Sequence, residues 1–397
     1  APLIAETGGL NAMIVDSTAL PEQAVRDIVV SAFQSAGQRC SALRVLYLQE
    51  DIAPEFLTML HGAMDELMLG DPWRIDTDVG PVIDAIARNK IVGHIEKARS
   101  EGRVLKQVRQ PSHGYFVPPT VLSVRSISEL VEEIFGPVLH VALFGAEELD
   151  RVIHEVNATG FGLTFGMHSR IDDRVEYVTK NIHCGNVYIN RNQIGAIVGS
   201  QPFGGEGLSG TGPKAGGPHY LPRFVKPDQT EISQESSNLV DASLVQRHLN
   251  GIEAEKRALT RRSLPGPTGE SNRHAIYGRG VILCCGPGRE VALKQAKTAQ
   301  QHGCATLCIA DGIKDGEGIN GCLDTEALTN LDGFDGIISF ADASQLLGMR
   351  QALACRDGKI IPLICEDDIA ERCITERHVC IDTTAAGGNA SLLVAAS

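Results

Sequence analysis

Glu6 and Cys40, 34 positions apart, are the two residues of this sequence whose types suit covalent acyl chemistry. Cys40 lies in FQSAGQRCSALR (33–44), a predicted turn between a helix and a strand that can expose a thiol at the mouth of a cleft. A thiol nucleophile needs positive charge or backbone donors that favour its thiolate, and Arg39 can contribute such charge. The alternative for a lone cysteine in a turn is an inert side chain.

Glu6 stands at the Gly-Gly turn of AETGGLNAMIVD (5–16), where a strand end can bring its carboxylate close to Cys40. A carboxylate in such a site can deprotonate the water that attacks a thioester. A positioned general base typically supplies about 10²–10⁴ in rate. From this segment alone, a solvated glutamate beside a turn is the alternative.

The elements that must position these residues follow an alternating pattern up to about residue 224. Apolar residues at helical spacing predict a helix over 23–33, and short β-type runs predict strands at 43–48, 161–169 and 185–190. Alternation of helices and strands is typical of an α/β fold with a largely parallel sheet. We therefore expect residues 1–224 to form a catalytic segment of this class.

Residues 225–274 are polar and rich in Pro and Gly near their end, which predicts a linker with some helix. A second, smaller, Rossmann-like α/β domain is expected over 275–397, with VILCC, ATLCIA, GIISF and KIIPLIC as buried strands. After the first of these strands, GPGREV (286–291) imitates a dinucleotide-binding turn but has Val291 where a third glycine belongs. It is a weak match to that motif.

Composition narrows the possible partners. The net charge of −13 and pI near 5.4 argue against nucleic acid or an anionic membrane surface, which select clustered Lys and Arg. There is no apolar run of about 20 residues and no secretory leader pattern, so a soluble, cytoplasmic protein is expected. The cysteines lack the paired spacing of a zinc site, and no metal is predicted.

Four motifs in order resemble the aldehyde dehydrogenases: the Glu-x-Gly-Gly turn, the GQ-x-C turn, EEIFGPV (132–138) and PFGG (202–205). The sequence is most similar to the L-glutamate γ-semialdehyde (1-pyrroline-5-carboxylate) dehydrogenase type. GNVYINRNQIGAIVGSQPFGGEGLSGTGPKAGGP and the terminal TTAAGGNASLL resemble the C-terminal portion of the bifunctional proline utilization A family. The resemblance covers essentially the whole chain.

This resemblance implies roles for the chemistry-bearing residues. Cys40 would attack the aldehyde, its backbone N–H would help to hold the oxyanion, and Glu6 would activate the water that hydrolyses the thioester. Glu133 and Phe135 match residues that hold the nicotinamide ribose of NAD, and Gly8 lies where the nicotinamide ring passes. For Glu133, solvation at a helix end is the alternative.

The resemblance also implies a substrate site. Ser41, Gly195 and Ala196 match the hydroxyl and backbone donors that grip the distal carboxylate of the substrate, and Phe203 matches the ring that packs on its aliphatic chain. Small residues let backbone N–H groups approach an anion. From the residues alone, 195–196 are equally a tight loop and Phe203 a core ring.

Some of the family pattern is missing from this sequence. The long NAD-binding half that precedes the Glu6 turn in the family, with its oxyanion Asn, is absent, and so is the FAD-binding proline dehydrogenase barrel. We therefore expect a fragment that binds NAD weakly and turns over poorly alone, with the missing N-terminal half and further copies of the chain as partners, as in a dimer. Residues 275–397 would be a degenerate aldehyde-dehydrogenase-like domain with a structural role, and 381–394 a docking tail.

Two other classes of function compete with aldehyde oxidation. Transfer of the thioester to coenzyme A would need no general base, so Glu6 argues against it. Alternatively, the chain is a scaffold whose catalytic residues are idle without the missing half.

Overall fold

The computed structural model describes residues 3–109, 111, 113–225, 228 and 238–384, and the chain forms two compact units. The large unit consists of Thr7–Ser209, Ser263–Arg273 and His378–Ser397, and the small unit of Ala1–Glu6, Gly210–Arg262 and His274–Arg377. The domain boundaries expected at 224 and 274 stay predictions. In the part of the chain that the structure describes, no helix is long and apolar enough to cross a membrane.

The strands are β1 (Ala12–Val15), β2 (Val45–Gln49), β3 (Val104–Gln107), β4 (Thr120–Ser123), β5 (Val138–Phe144), β6 (Phe161–Gly162), β7 (Thr164–His168), β8 (Asn186–Ile189), β9 (Glu206–Gly207), β10 (Leu239–Val240), β11 (Ala258–Leu264), β12 (Glu270–Gly278), β13 (Val281–Cys284), β14 (Ala305–Ala310), β15 (Gly318–Asn320), β16 (Cys322–Leu323), β17 (Gly336–Ile338), β18 (Leu363–Ile364) and β19 (Ile374–Asp382). The α-helices are α1 (Pro21–Phe33), α2 (Ala53–Asp65), α3 (Ala85–Ser100), α4 (Leu149–Ala158), α5 (Asp172–Asn181), α6 (Ala242–Leu249), α7 (Gly288–Gln301) and α8 (Ala343–Ala354).

The strands of the large unit follow the order β19-β8-β7-β1-β2-β5-β4-β3 in their sheet. From β19 to β4 all neighbours are parallel, and β3 pairs antiparallel with β4 at the edge. β1, β2, β7 and β8 are buried along their whole length, as expected for parallel strands covered on both faces. The predicted α/β class and the strands predicted at 43–48, 161–169 and 185–190 are confirmed.

Helix α1 packs one face on this sheet and leads into the Cys40 turn. It begins at Pro21, whose fixed φ and missing N–H suit the first turn, and buries Val25, Ile28 and Phe33. The helix predicted over 23–33 is therefore confirmed, with its start two residues earlier. Ending at Phe33 leaves the next residues to form the turn.

The small unit contains a five-stranded parallel sheet of order β15-β14-β13-β17-β18. It includes the four predicted buried strands, although KIIPLIC is a strand only at Leu363–Ile364. The expected linker is more regular than predicted, because it contains α6, β11 and part of β12. The sequence there is polar and has no apolar run, so it did not predict the strands, which form through hydrogen bonds to paired strands. Residues 385–394 of the expected docking tail lie outside the described residues.

Two buried titratable side chains in the large unit, Asp27 on α1 and His168 at the end of β7, place Oδ2 and Nε2 3.7 Å apart. Burial raises the pKa of Asp27 from 3.8 to about 6. Burial lowers the pKa of His168 from 6.5 to about 4. Between about pH 4 and pH 6 the unfolded chain holds one proton on the imidazole, while the folded chain holds one on the carboxyl group.

We therefore expect this pair to add no pH dependence to the free energy of unfolding in that window, because the proton counts are equal. In Asp27→Asn the folded pair holds no proton, so stability should rise with pH by about 1.4 kcal/mol per unit relative to wild type. Urea unfolding at several pH values measures this slope. If the free energy of unfolding had the same pH dependence in wild type and Asp27→Asn, the assignment of the folded-state proton to the Asp27 carboxyl group would be contradicted.

Candidate active site

The Cys40 turn of the large unit has an unusual backbone. Ser35, Ala36 and Gly37 have φ of 57°, 53° and 64°, and Cys40 is exposed at the end of the turn. A Cβ on Gly37 would lie 2.2 Å from the carbonyl oxygen of Gly136, which explains the glycine in the GQ-x-C motif. The left-handed turn thus brings the cysteine loop against the EEIFGPV segment.

Asn11 holds the backbone on either side of Ser41. Its side chain is 2% exposed, and its Nδ2 donates to the carbonyl oxygens of Cys40 (2.7 Å) and Ala42 (2.9 Å). Its Oδ1 accepts from the backbone N–H of Thr164 at 3.2 Å. The Asn11 side chain therefore fixes the conformation of the nucleophile loop against the first residue of β7.

Ser41 is buried, and its carbonyl oxygen accepts from Thr164 Oγ1 and Gln193 Nε2, both at 3.2 Å. Gln193 connects the cysteine loop to the loop that carries Gly195 and Ala196. Gly195 is exposed with φ of 76°, and a Cβ there would meet nothing within 4 Å. This loop is therefore tied to the cysteine loop and open to solvent at its glycine.

Arg44 connects the cysteine loop to the EEIFGPV segment, and its charged side chain is 0% exposed. Its Nη1 donates to the carbonyl oxygens of Gly37 (2.7 Å) and Gly136 (3.2 Å). Its Nε and Nη2 both bind Glu133 Oε1, at 3.0 and 2.8 Å. Burial lowers the pKa of Arg44, and the Glu133 carboxylate opposes that shift. The guanidinium thus places a buried positive charge beneath the cysteine loop.

Glu133 links this arginine to the turn at residues 6–9. Its Oε2 accepts from the backbone N–H of Gly9 at 3.2 Å, and a Cβ on Gly8 would lie 3.0 Å from the same oxygen. Phe135 stacks 5.2 Å from the guanidinium carbon of Arg44 and keeps 44% of its surface exposed. The structure therefore brings Gly8, Cys40, Glu133 and Phe135 together through Arg44.

Two further predicted site residues, Phe203 and Glu6, are described here by their own surroundings. Phe203 is half-buried after Pro202, whose carbonyl oxygen accepts from Asn186 Nδ2 at 2.8 Å. Glu6 belongs to the small unit, where it is exposed and forms a bridge with Gly210. Its role as general base stays a prediction from its motif.

Sequence reasoning missed four residues that hold the site: Asn11, Arg44, Thr164 and Gln193. The signal was present for Arg44, which stands between Leu43 and Val45 inside a run that becomes fully buried. A charged residue within a buried strand pattern needs a partner, and here the partner is Glu133. The amide and hydroxyl side chains carried no comparable signal, because their partners are distant in sequence and most of them are backbone atoms.

Comparison with known proteins places this geometry in context. A model described as "Aldehyde dehydrogenase family" matches residues 1–229. The chain is 43% identical to "Bifunctional protein PutA" of Escherichia coli (strain K12), over 99% of this chain and 33% of that protein. It is 42% identical to "1-pyrroline-5-carboxylate dehydrogenase" of Geobacillus sp. (strain WCH70), over 55% of this chain and 43% of that one. The chain thus spans about a third of the bifunctional relatives.

Two solved structures of proteins with these names also resemble the chain. A crystal structure of bifunctional proline utilization A superposes with a TM-score of 0.55 at 55% identity, covering 56% of this chain and 23% of that one. A 1-pyrroline-5-carboxylate dehydrogenase from Thermus with bound NAD superposes with a TM-score of 0.53 at 38% identity, covering 56% and 43%. The similarity therefore extends over both sequence and fold.

Proposed function

Because the chain belongs to the aldehyde dehydrogenase family, we propose that it carries the thiol of an enzyme that oxidises L-glutamate γ-semialdehyde to L-glutamate with NAD. The observation that carries this proposal is the exposed Cys40 on a loop fixed by Asn11 and Arg44. The names of the relatives, proline utilization A and 1-pyrroline-5-carboxylate dehydrogenase, support the choice of substrate and a place in proline catabolism.

In the proposed mechanism, Cys40 Sγ adds to the aldehyde carbon to give a thiohemiacetal. The backbone N–H of Cys40 donates to the resulting oxyanion, and the buried Arg44 beneath the loop favours negative charge on the reacting groups. Oxidation leaves the acyl group on Cys40 as a thioester. Glu6 then takes a proton from water, and the hydroxide releases glutamate and restores the thiol.

Gly8, Glu133 and Phe135 would hold the nicotinamide end of NAD, and the residues fit that role. Gly8 offers bare backbone, since a Cβ there would lie 3.0 Å from Glu133 Oε2. Phe135 presents a ring that is 44% exposed, and Arg44 fixes the position of the Glu133 carboxylate. NAD, when bound, supplies the hydride acceptor of the reaction.

The distal carboxylate of the substrate would be bound by the Ser41 hydroxyl and by the backbone N–H groups of Gly195 and Ala196, with Phe203 against the aliphatic chain. The support is the tie between the two loops through Gln193, together with the open space beside Gly195. We further propose that the protein is cytoplasmic, that several copies assemble, and that this chain works together with the region that precedes it in the relatives.

The test is substrate selection by the protein with that N-terminal region restored, followed by NADH absorbance. We expect kcat/KM for L-glutamate γ-semialdehyde to exceed that for an unsubstituted aldehyde of equal chain length by about 10²-fold or more, because a site that hydrogen-bonds the distal carboxylate discriminates against a substrate that lacks it. Ser41→Ala should lower only the first value. Equal values for both aldehydes, or release of the product as a coenzyme A thioester, would refute the proposal.

A further inference from the structure

The loop at residues 191–201 follows β8 and carries Gly195 and Ala196, to which the proposed function assigns the distal carboxylate of the substrate. The structure describes this loop in full, and it contains no helix or strand. Its middle is open, since Val198 is 83% exposed and a Cβ on Gly195 or Gly199 would meet nothing within 4 Å. Such a loop holds an anion well only if other contacts fix it, because ordering it on binding costs conformational entropy.

Both ends of this loop bind one carboxylate, that of Glu270 at the start of β12. At the first end, Arg191 Nη1 donates to Glu270 Oε2. At the last end, Gln201 Nε2 donates to Glu270 Oε1 at 3.0 Å. All three residues belong to the large unit. A single side chain from outside the loop therefore joins its two ends.

The thiol of Cys380 on β19 is a second group that both ends contact. Its Sγ accepts from Arg191 Nη1 at 3.0 Å and from Gln201 Nε2 at 3.5 Å. Cys380 is 0% exposed, and burial raises its pKa to about 12, so it is a neutral thiol at neutral pH. A neutral thiol is a weak acceptor, whereas hydrogen bonds to an ionised carboxylate are among the strong ones. Glu270 is therefore the main anchor of the two.

Glu270 is itself held in place by its own strand. Asn272 Nδ2 donates to Glu270 Oε1 at 2.8 Å and to the carbonyl oxygen of Pro265 at 3.2 Å. The side chains of Arg191 and Glu270 keep only 16% and 14% of their surface exposed. An ion pair with so little exposure is weakly screened by salt, so the fixed carboxylate sets the position of the arginine.

A different contact fixes the loop to the nucleophile. Gln193 Nε2 donates to the carbonyl oxygen of Ser41 in the cysteine loop at 3.2 Å. Gly195 and Ala196 therefore lie between this contact and the contact of Gln201 with Glu270. Loss of the Glu270 carboxylate would release the far side of the loop, while the contact with the cysteine loop remains. We therefore expect such a loss to affect carboxylate binding rather than the chemistry at Cys40.

We propose that Glu270 is a positioning residue that sets specificity for the distal carboxylate of the substrate. By holding Arg191 and Gln201, it keeps the backbone N–H groups of Gly195 and Ala196 where they bind that anion. The positive charge of Arg191 balances the carboxylate of Glu270, which acts through the loop and not by contact with the substrate. This inference rests on the proposed function. A misplacement of about 1 Å in groups that position a substrate can cost about 10²-fold in rate.

The test uses the protein with its N-terminal region restored and compares L-glutamate γ-semialdehyde with the unsubstituted aldehyde of equal chain length. We expect Glu270→Gln to raise KM for the semialdehyde about tenfold or more and to leave kcat within about twofold of wild type. Both constants for the unsubstituted aldehyde should keep their wild-type values, since that substrate has no carboxylate to bind. A variant that is merely damaged in its fold would lose activity toward both substrates.

Gln201→Met is the second variant, because it breaks only one end of the loop and leaves no buried charge without a partner. It should raise KM for the semialdehyde by a smaller factor, about threefold. If circular dichroism shows that Glu270→Gln does not fold, this variant decides the question. Glu155→Gln is the matched control, since Glu155 on α4 is 20% exposed in its side chain and pairs with Arg151. That control should change neither KM.

The outcomes separate this inference from the proposed function. If wild type prefers the semialdehyde and both loop variants keep that preference in full, the role of Glu270 is overturned while the proposed function stands. Equal losses for the two aldehydes in Glu270→Gln would also overturn it, because Glu270 would then support the fold alone. If wild type shows no preference for the semialdehyde, the proposed function fails and this inference fails with it.

Discussion

Cys40→Ala, in the protein with its N-terminal region restored, should lower kcat for semialdehyde oxidation by about 10⁴-fold or more, because the proposed acyl intermediate forms on the thiol that alanine lacks. Steady-state NADH formation measures this loss. Cys355→Ala is the matched control, since Cys355 is likewise exposed but lies after α8 in the small unit. We expect that control to retain the wild-type rate.

Substantial activity in Cys40→Ala would remove Cys40 as the nucleophile. Equal losses in Cys40→Ala and Cys355→Ala would show that cysteine removal harms the fold rather than the chemistry. Circular dichroism on both variants separates these two outcomes.

Arg44→Met should lower the free energy of unfolding by about 3–5 kcal/mol, because it breaks a buried ion pair by removing one partner. Glu133 would keep its charge without the guanidinium, and the carbonyl oxygens of Gly37 and Gly136 would lose their donor. Arg44→Lys should recover only part of the loss, since one ammonium group cannot reach all these acceptors. Urea unfolding followed by circular dichroism gives the values.

The matched control for Arg44 is Arg125→Met, which removes a guanidinium from an ion pair with Glu129 on the surface. Arg125 is 94% exposed in its side chain, so its removal should leave the urea midpoint unchanged. An Arg44→Met midpoint equal to that of Arg125→Met would contradict the role given to the buried arginine.

Much of the fold was accessible from the sequence because its signals are local. The apolar face of α1 and the runs that become β2, β7 and β8 are periodic within one element, and each became an element close to its predicted bounds. KIIPLIC shows the limit of this reasoning. Its apolar run predicts a strand over the whole segment, whereas the structure has a strand only at Leu363–Ile364. The length of a strand also depends on its neighbour in the sheet, which here is β17.

Sequence motifs predicted only part of the site. Motifs identified Cys40 and Glu133, but not Arg44, which binds both Glu133 and the backbone of the cysteine loop, since those contacts depend on how distant segments pack. The Asn11 contacts with Cys40 and Thr164 are of the same kind. The roles of Glu6 and of the substrate loop stay predictions for the same reason.

The central claim, that Cys40 carries the acyl group, is tested most directly by acid quenching during the first turnover of the restored protein. Peptide mass spectrometry then locates any covalent adduct. We predict a glutamyl thioester on the peptide that contains Cys40, accumulating further in Glu6→Gln because hydrolysis is slowed. An adduct on another residue, or full NADH formation with no adduct on Cys40 in either protein, would contradict the account.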